Sequence, residues 1–260
     1  MGKQNRKRAS AQLKSKAEEK EQKEDVLDDN EVAESKPEIG KVLRMDSSSV
    51  NSKKRLIVVL DKASLQTAKT SSNYELLDCD KHKHLMLKQN IDPSTVRPDI
   101  CHQSLLMLLD SPLNKAGLLQ IYIRTDKNLL IEVHPQTRIP RTFPRFAGLM
   151  VQLLHKYVVR AADGPVKLLK VIKNDISDYL PVGCAKIATS FHTDNVVDFR
   201  KFVPKEGDDS PLVVVVGAMA HGSVYPEFTN QTVSISGYPL SAALTCAKIC
   251  SATEEVWGVK

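Results

Sequence analysis

The sequence predicts an α/β protein built on a parallel sheet, and three observations carry that reading. The first is Leu212–Val216, a leucine and four consecutive valines bounded by Pro211 and Gly217. β-Branched side chains are stiff, and a run without polar alternation is how a strand enclosed on both faces reads. The second is Arg55–Leu60, another apolar run of the same kind. The third is the surrounding pattern: further strands at 168–172 and 184–189, with helical apolar spacing at 100–110 and 147–160.

After Leu212–Val216, Gly217 and Gly222 free the backbone for an irregular turn at the strand's carboxyl end, where open α/β sheets place ligands. A short strand is expected at Val233–Ser236. Gly237-Tyr238-Pro239 then opens a helix, with Leu240, Ala243, Leu244, Ala247 and Lys248 at helical spacing. Two strand ends with glycine loops either wall a small-molecule pocket or are ordinary strand-to-helix turns. The stretch Gly217–Ser223 has the spacing of a phosphate-binding loop but carries Ser223 where that loop needs lysine, and no G-x-G-x-x-G occurs. Backbone groups and apolar walls, not a pyrophosphate cradle, are expected to grip a ligand here.

With 260 residues and 42% apolar content, the chain suffices for one large or two small domains with a real core. No apolar run approaches a membrane span, and the charged amino terminus lacks the apolar centre of a secretory signal. Cys79, Cys101, Cys184, Cys246 and Cys250 are scattered without a C-x-x-C, which argues against a zinc ribbon or a disulfide framework and fits a reducing compartment. The net charge of +6 suits an anionic partner, although evenly spread lysines give the same sum.

Residues 1–54 are expected to be a disordered charged tail, because they hold too few large apolar side chains to offset ordering entropy. Arg6, Lys7 and Arg8 suit a nuclear address, an RNA-grazing arm or simply a solvated tail. After the strand at 55–60 comes a polar stretch with an amphipathic helical signal, ending in Asp78–His84. Its Asp, Cys and His residues invite a metal reading, but interleaved lysines and the lack of a second ligand cluster oppose it, and no metal is expected. Asp99 suits the N-cap of a helix over 100–110, with Leu105, Leu106, Leu108 and Leu109 on its apolar face and Ser111-Pro112 ending it. Strands at 118–123 and 129–133 read as a hairpin.

The segment 134–146 contains Pro135, Pro140 and Pro144, so it is expected to display Arg138, Arg141 and Arg145 from a stiff loop. Arginine's planar fork suits phosphate. Phe143 and Phe146 then either stack on unpaired bases or dock on the core; arginines with no intervening acid favour the RNA reading.

Five strings carry a specific resemblance: Arg97-Pro98-Asp99, Asp110–Asn114, His134–Arg141, Val216–Gly222 and Tyr238–Lys248. From about Arg55 to the carboxyl terminus, the chain resembles the eukaryotic ribosome-biogenesis pseudouridine-N1 methyltransferases. This is the essential-for-mitotic-growth, or nucleolar essential protein, family of the SPOUT superfamily. The resemblance implies a SPOUT-type α/β knot, a deep trefoil on the carboxyl-terminal side and a rare exception to unknotted topology. Residues 55–260 would form that domain, with family-specific insertions at about 61–95 and at 118–146. It further implies a homodimer that binds S-adenosyl-L-methionine in the knotted loops and releases S-adenosyl-L-homocysteine. The family's cofactor positions fall on Thr189, Gly217, Gly222, Ile235, Ser236, Gly237, Tyr238, Pro239 and Leu240; its rRNA-contacting arginines fall on Arg97, Arg138, Arg141 and Arg145, with Asp99 holding Arg97. Gly237 stands where relatives often carry Asn.

The activity so implied is methylation of ring nitrogen N1 of a pseudouridine in small-subunit rRNA or pre-rRNA, in the nucleolus or nucleus, beside other small-subunit assembly factors and away from membranes. Pseudouridine is joined through carbon, which leaves that N–H free. Asp99, paired with Arg97, is expected to orient rather than to act as general base, and His221 to pack or fix its loop. The competing class is a non-catalytic pre-rRNA-binding assembly factor that keeps the knot. A nucleotide hydrolase would need the missing lysine and an acidic metal cluster.

Overall fold

The computed structural model describes residues 54–260 apart from 71, 72, 163, 174 and 206, so the expected disordered tail lies outside the described residues except for Lys54. One half of an eight-stranded sheet is parallel, in the spatial order β10 (Gln231–Val233), β8 (Ala185–Thr189), β9 (Leu212–Gly217), β1 (Leu56–Ala63) and β4 (Leu119–Thr125). The other half continues antiparallel through β5 (Leu130–Val133), β7 (Lys167–Ile172) and β6 (Val158–Arg160). A separate hairpin pairs β2 (Thr67–Lys69) with β3 (Tyr74–Leu76). The helices are α1 (Lys83–Lys88), α2 (Pro98–Asp110), α3 (Pro112–Lys115), α4 (Phe143–Lys156) and α5 (Ala242–Trp257).

The four-valine run is enclosed as expected. β9 lies between β8 and β1, with Leu212–Val216 buried throughout. Its side chains alternate between two apolar clusters. Leu212, Val214 and Val216 join Leu56, Val58 and Leu60 beneath residues of α2, α4 and α5, among them Leu105, Leu108, Phe146, Met150 and Ile249. Val213 and Val215 join Ile57, Val59 and Tyr122 on the opposite face, covered by Ile176, Leu180 and Val224. Helices thus cover one face, whereas loop residues and a 3₁₀ turn cover the other. No helix of the described residues is long and apolar enough to cross a membrane. All five cysteines are free thiols, and burial pushes Cys101 and Cys250 up to about 12.

Several local expectations are corrected. The helical signal after β1 belongs to the β2–β3 hairpin and to the short α1. Its apolar residues separate into two clusters, Leu65 and Leu76 in the main core and Ala68 and Leu77 with Met86 and Val96, so no single face forms. Helix α2 begins one residue before Asp99: Pro98 takes the first position, where its missing N–H costs nothing, and Asp99 sits in the first turn instead of capping it. Helix α4 starts at Phe143, not Ala147, for the same reason at Pro144; it ends at Lys156, where Tyr157 turns left-handed (φ 61°) and the chain enters β6. The last strand is β10, two residues earlier than expected, with Ser234 adding one bridge to Val196. Helix α5 waits for Ser241, whose side chain accepts from the Leu244 N–H, so Gly237–Leu240 is loop.

Val214→Ala should cost about 2–3 kcal/mol in urea unfolding, since it removes methyl groups from a completely buried position. Val182→Ala, at a fully exposed position, should stay within about 0.5 kcal/mol.

Candidate active site

The parallel strands deliver their carboxyl ends to one edge, and a cavity of about 510 Å³ opens there beside the start of α2. Thr189, Gly217 and Gly222 line it, as do Ile235, Ser236, Tyr238, Pro239 and Leu240. Arg97 and Asp99 form part of the same wall. Gly237 is not among the lining residues, and neither are Arg138, Arg141 and Arg145.

Each loop is fixed by its own short-range bonds. At the end of β8, the Thr189 hydroxyl donates to the Val215 carbonyl at 3.0 Å, pinning β8 to β9. Past β9, a Cβ at Gly217 would lie 2.9 Å from Val224 Cγ2, so that glycine is needed for close approach. Gly222 meets the other requirement, a backbone φ of +100°. After β10, the Ser234 hydroxyl donates to the Ser236 carbonyl at 2.7 Å, and the Tyr238 N–H donates to Ser236 Oγ at 3.1 Å. At Gly237 an added Cβ would meet nothing within 4 Å, so the position has room for a side chain.

The charge in the cavity is organised at the start of α2. Arg97 donates twice to Asp99, Nε to Oδ1 at 2.8 Å and Nη2 to Oδ2 at 2.7 Å. That hydrogen bonding holds the Asp99 carboxyl below its ordinary range, helped by the Arg97 charge and by backbone amides of the helix's first turn, against partial desolvation. Arg97 is raised in turn, chiefly by Asp99, with Cys79 and Asp80 from the turn after β3 contributing. A carboxylate so depressed is ionised at neutral pH and a weak base. The pair's stabilisation is complete above the unfolded carboxyl's pKa and is lost as pH falls through the lower folded value.

The arginine segment is anchored from behind. His102, buried on α2, donates from Nε2 to the Pro140 carbonyl at 2.7 Å and stacks on Phe146 with ring centroids 4.4 Å apart. Asn114 Nδ2 donates to the Pro135 carbonyl, the Thr137 hydroxyl to the Leu168 carbonyl, and Arg141 Nη2 to Asp110 Oδ2. Arg138 and Arg145 are exposed and have no ion-pair partner among the described residues.

A profile of the family described as EMG1/NEP1 methyltransferase matches residues 58–254. The chain belongs to this family. Among its relatives, a mouse protein named ribosomal RNA small subunit methyltransferase NEP1 is 65% identical over 219 residues, covering 84% of this chain and 88% of that one. A human protein of the same name is 67% identical over 206 residues, covering 79% and 83%. A crystal structure of Nep1 from Archaeoglobus fulgidus bound to S-adenosylhomocysteine superposes with a TM-score of 0.66 at 25% identity, covering 79% of this chain and 99% of that one.

In this EMG1/NEP1 chain three readings change. Phe146 is wholly buried and Phe143 packs against the core, so neither is free to stack on a base; they fix the arginine loop to the protein. Arg145 stands on the first turn of α4 rather than in a loop. His221, expected to pack or to fix its loop, is exposed, which removes the packing role. Asp78, Cys79 and Asp80 bring ligand atoms within 4.8 Å of one another, but the Asp80 N–H already bonds Asp78 Oδ1 as an ordinary turn. Sequence reading missed Gln103 and Met219 on the cavity wall and His102 behind the arginines. The signal for His102 was its position on the buried stripe with Pro98, Leu105 and Leu109.

His102→Phe should keep the ring stack but strand the Pro140 carbonyl, lowering stability by about 1–3 kcal/mol in chemical denaturation.

Proposed function

We propose that this chain transfers a methyl group from S-adenosyl-L-methionine to ring nitrogen N1 of a pseudouridine in small-subunit rRNA, acting as a homodimer in the nucleolus beside other small-subunit assembly factors. The observation that carries the reading is the cavity, where three strand-end loops share a wall with the Arg97–Asp99 pair. The relatives' names as small-subunit rRNA methyltransferases and the S-adenosylhomocysteine of the archaeal neighbour support the reaction class.

The residues fit an adenosyl cofactor. The volume lies in the range of small-molecule sites, the hydroxyls of Thr189 and Ser236 stand among apolar Ile235, Leu240 and Met219, and Gly217 lets Val224 pack closely into the same wall. Thr189, Gly217, Gly222 and Ile235–Leu240 would hold it, with Gly237 contributing backbone only. Bound there, S-adenosyl-L-methionine supplies an electrophilic sulfonium methyl group.

The protein's own task is alignment in a site that excludes water. The target base enters flipped from an RNA loop, and exposed Arg138, Arg141 and Arg145 hold the backbone outside the cavity while Arg97 acts within it. Arg97 also lends positive potential to the nitrogen as its proton leaves. Asp99 fixes the guanidinium; the proton passes to solvent.

We read residues 55–260 as one methyltransferase domain with insertions at about 61–95 and 118–146. The β2–β3 hairpin supports the first. The antiparallel pairing of β4 with β5 supports the second. The trefoil knot is supported by strand order: β9 enters between β8 and β1, and the chain then passes β8 as β10 before α5 packs on α2 and β9. The dimer is supported by Phe191, Tyr238 and Leu244, large apolar side chains left exposed at or near the cavity.

The test is methyl transfer from labelled S-adenosylmethionine to matched small-subunit rRNA stem-loops carrying pseudouridine or uridine at the target. Label in the pseudouridine RNA alone is expected. Label in both would mean another atom, and no label with salt-sensitive RNA binding retained would favour the assembly factor. In the same assay Asp99→Asn should raise the KM for RNA about tenfold and leave kcat within about threefold. Loss of kcat with RNA affinity intact would instead make Asp99 the proton acceptor.

A further inference from the structure

At the end of β1 the sheet register breaks. Leu60 pairs with Ile123 and Ala63 with Thr125, so Asp61 and Lys62 together oppose Arg124 alone. The bulge places Lys62 in a left-handed conformation, φ 55°, unusual for a residue with a side chain. Bulges of this kind re-aim side chains, and this one sends Lys62 to the loop that follows β9 and the Asp61 carboxylate to Arg124.

Three contacts join the bulge and its partner Arg124 to that loop. Asp61 sits opposite Gly217, and its carbonyl accepts from the Ala218 N–H at 2.7 Å. Its carboxylate, 1% exposed, accepts from Arg124 Nε at 2.5 Å and Nη2 at 2.9 Å. The Arg124 guanidinium lies 5.5 Å from the centre of the Phe228 ring. Lys62 Nζ donates to the Ser223 carbonyl at 3.3 Å. Loop 218–228 is therefore held at its start, middle and end from behind, while its cavity side carries Met219, Ala220 and Gly222.

From this geometry we infer that Asp61, Lys62 and Arg124 form a positioning clamp that sets the cofactor loop and thereby S-adenosylmethionine affinity, without touching the cofactor. A buried ion pair is poor value as a source of stability, because desolvating both charges offsets their attraction. What this pair supplies is direction: a planar fork fixes the guanidinium, which fixes Phe228, and the loop in front follows. The inference rests on the cofactor assignment proposed above.

The test uses the full chain with three variants, Arg124→Gln, Arg124→Lys and Lys62→Met. S-adenosylhomocysteine affinity is read by calorimetry, and stem-loop RNA affinity by fluorescence anisotropy. Arg124→Gln should weaken the cofactor product between about 5- and 100-fold, with RNA affinity within about twofold of wild type. Arg124→Lys keeps the charge without the fork and should recover only part of the loss. Lys62→Met, at an exposed position that leaves the core untouched, should weaken product binding about threefold; it decides the matter should Arg124→Gln fail to fold. Unchanged product affinity in folded variants, or an equal fall in RNA and product affinity, would overturn the clamp. Failure of the wild type to bind S-adenosylhomocysteine would instead remove the cofactor assignment, and the clamp with it.

Discussion

Strand β9 has neither a free edge nor a free face. Its backbone is shared between β8 and β1, and its side chains alternate between two apolar clusters. A polar side chain placed among them would lose its water without gaining a partner. Parallel neighbours impose a second constraint, because each connection must return over the sheet before the next strand begins. β8, β9, β10 and β1 consequently all finish at one edge, and their irregular connections meet there. The cavity follows from that enclosure: the place where backbone regularity stops is the place where three loops must coexist.

Charge enters this apolar frame at two points, in two different ways. Arg97 at the N-cap of α2 and Asp99 in its first turn are partly exposed, so their pairing fixes a cation that can still face a ligand. Asp61 and Arg124 are joined across the sheet by a bulge, with the carboxylate fully buried. The first pair presents a charge to the cavity, and the second supports a loop from behind. Each is bidentate, which restricts the guanidinium plane as well as its distance.

Legibility in the sequence followed locality. The valines of β9 and the run in β1 announce themselves because a doubly buried strand tolerates nothing polar. Gly217 and Gly222 were found as turn glycines, although only Gly222 needs a positive φ; the reason for Gly217 is Val224, seven residues on, which no local pattern reveals. The helices begin before Asp99 and Ala147 because a proline in the first turn, Pro98 or Pro144, resembles loop in a local pattern yet suits a helix start. Among the arginines Phe143 and Phe146 look available for bases, yet both rings lie against His102 and Phe146 is wholly buried. The bulge at Asp61–Lys62 left no trace in a sequence pattern, since it exists only in register against β4.

Helix α2 is where these separate pieces become one device. Its first turn carries Arg97 and Asp99 into the cavity, its middle holds the arginine segment through His102, and its last residue, Asp110, pairs with Arg141. Its inner face is fixed by Cys101, Leu105 and Leu108 in the main core and by packing against α5, the element that follows the 234–241 loop. A rigid helix spanning both regions keeps the external arginines and the internal one in constant relation. Under the proposed function, a base delivered by the first group would arrive at the second without either having to search, so the helix spends its rigidity on alignment.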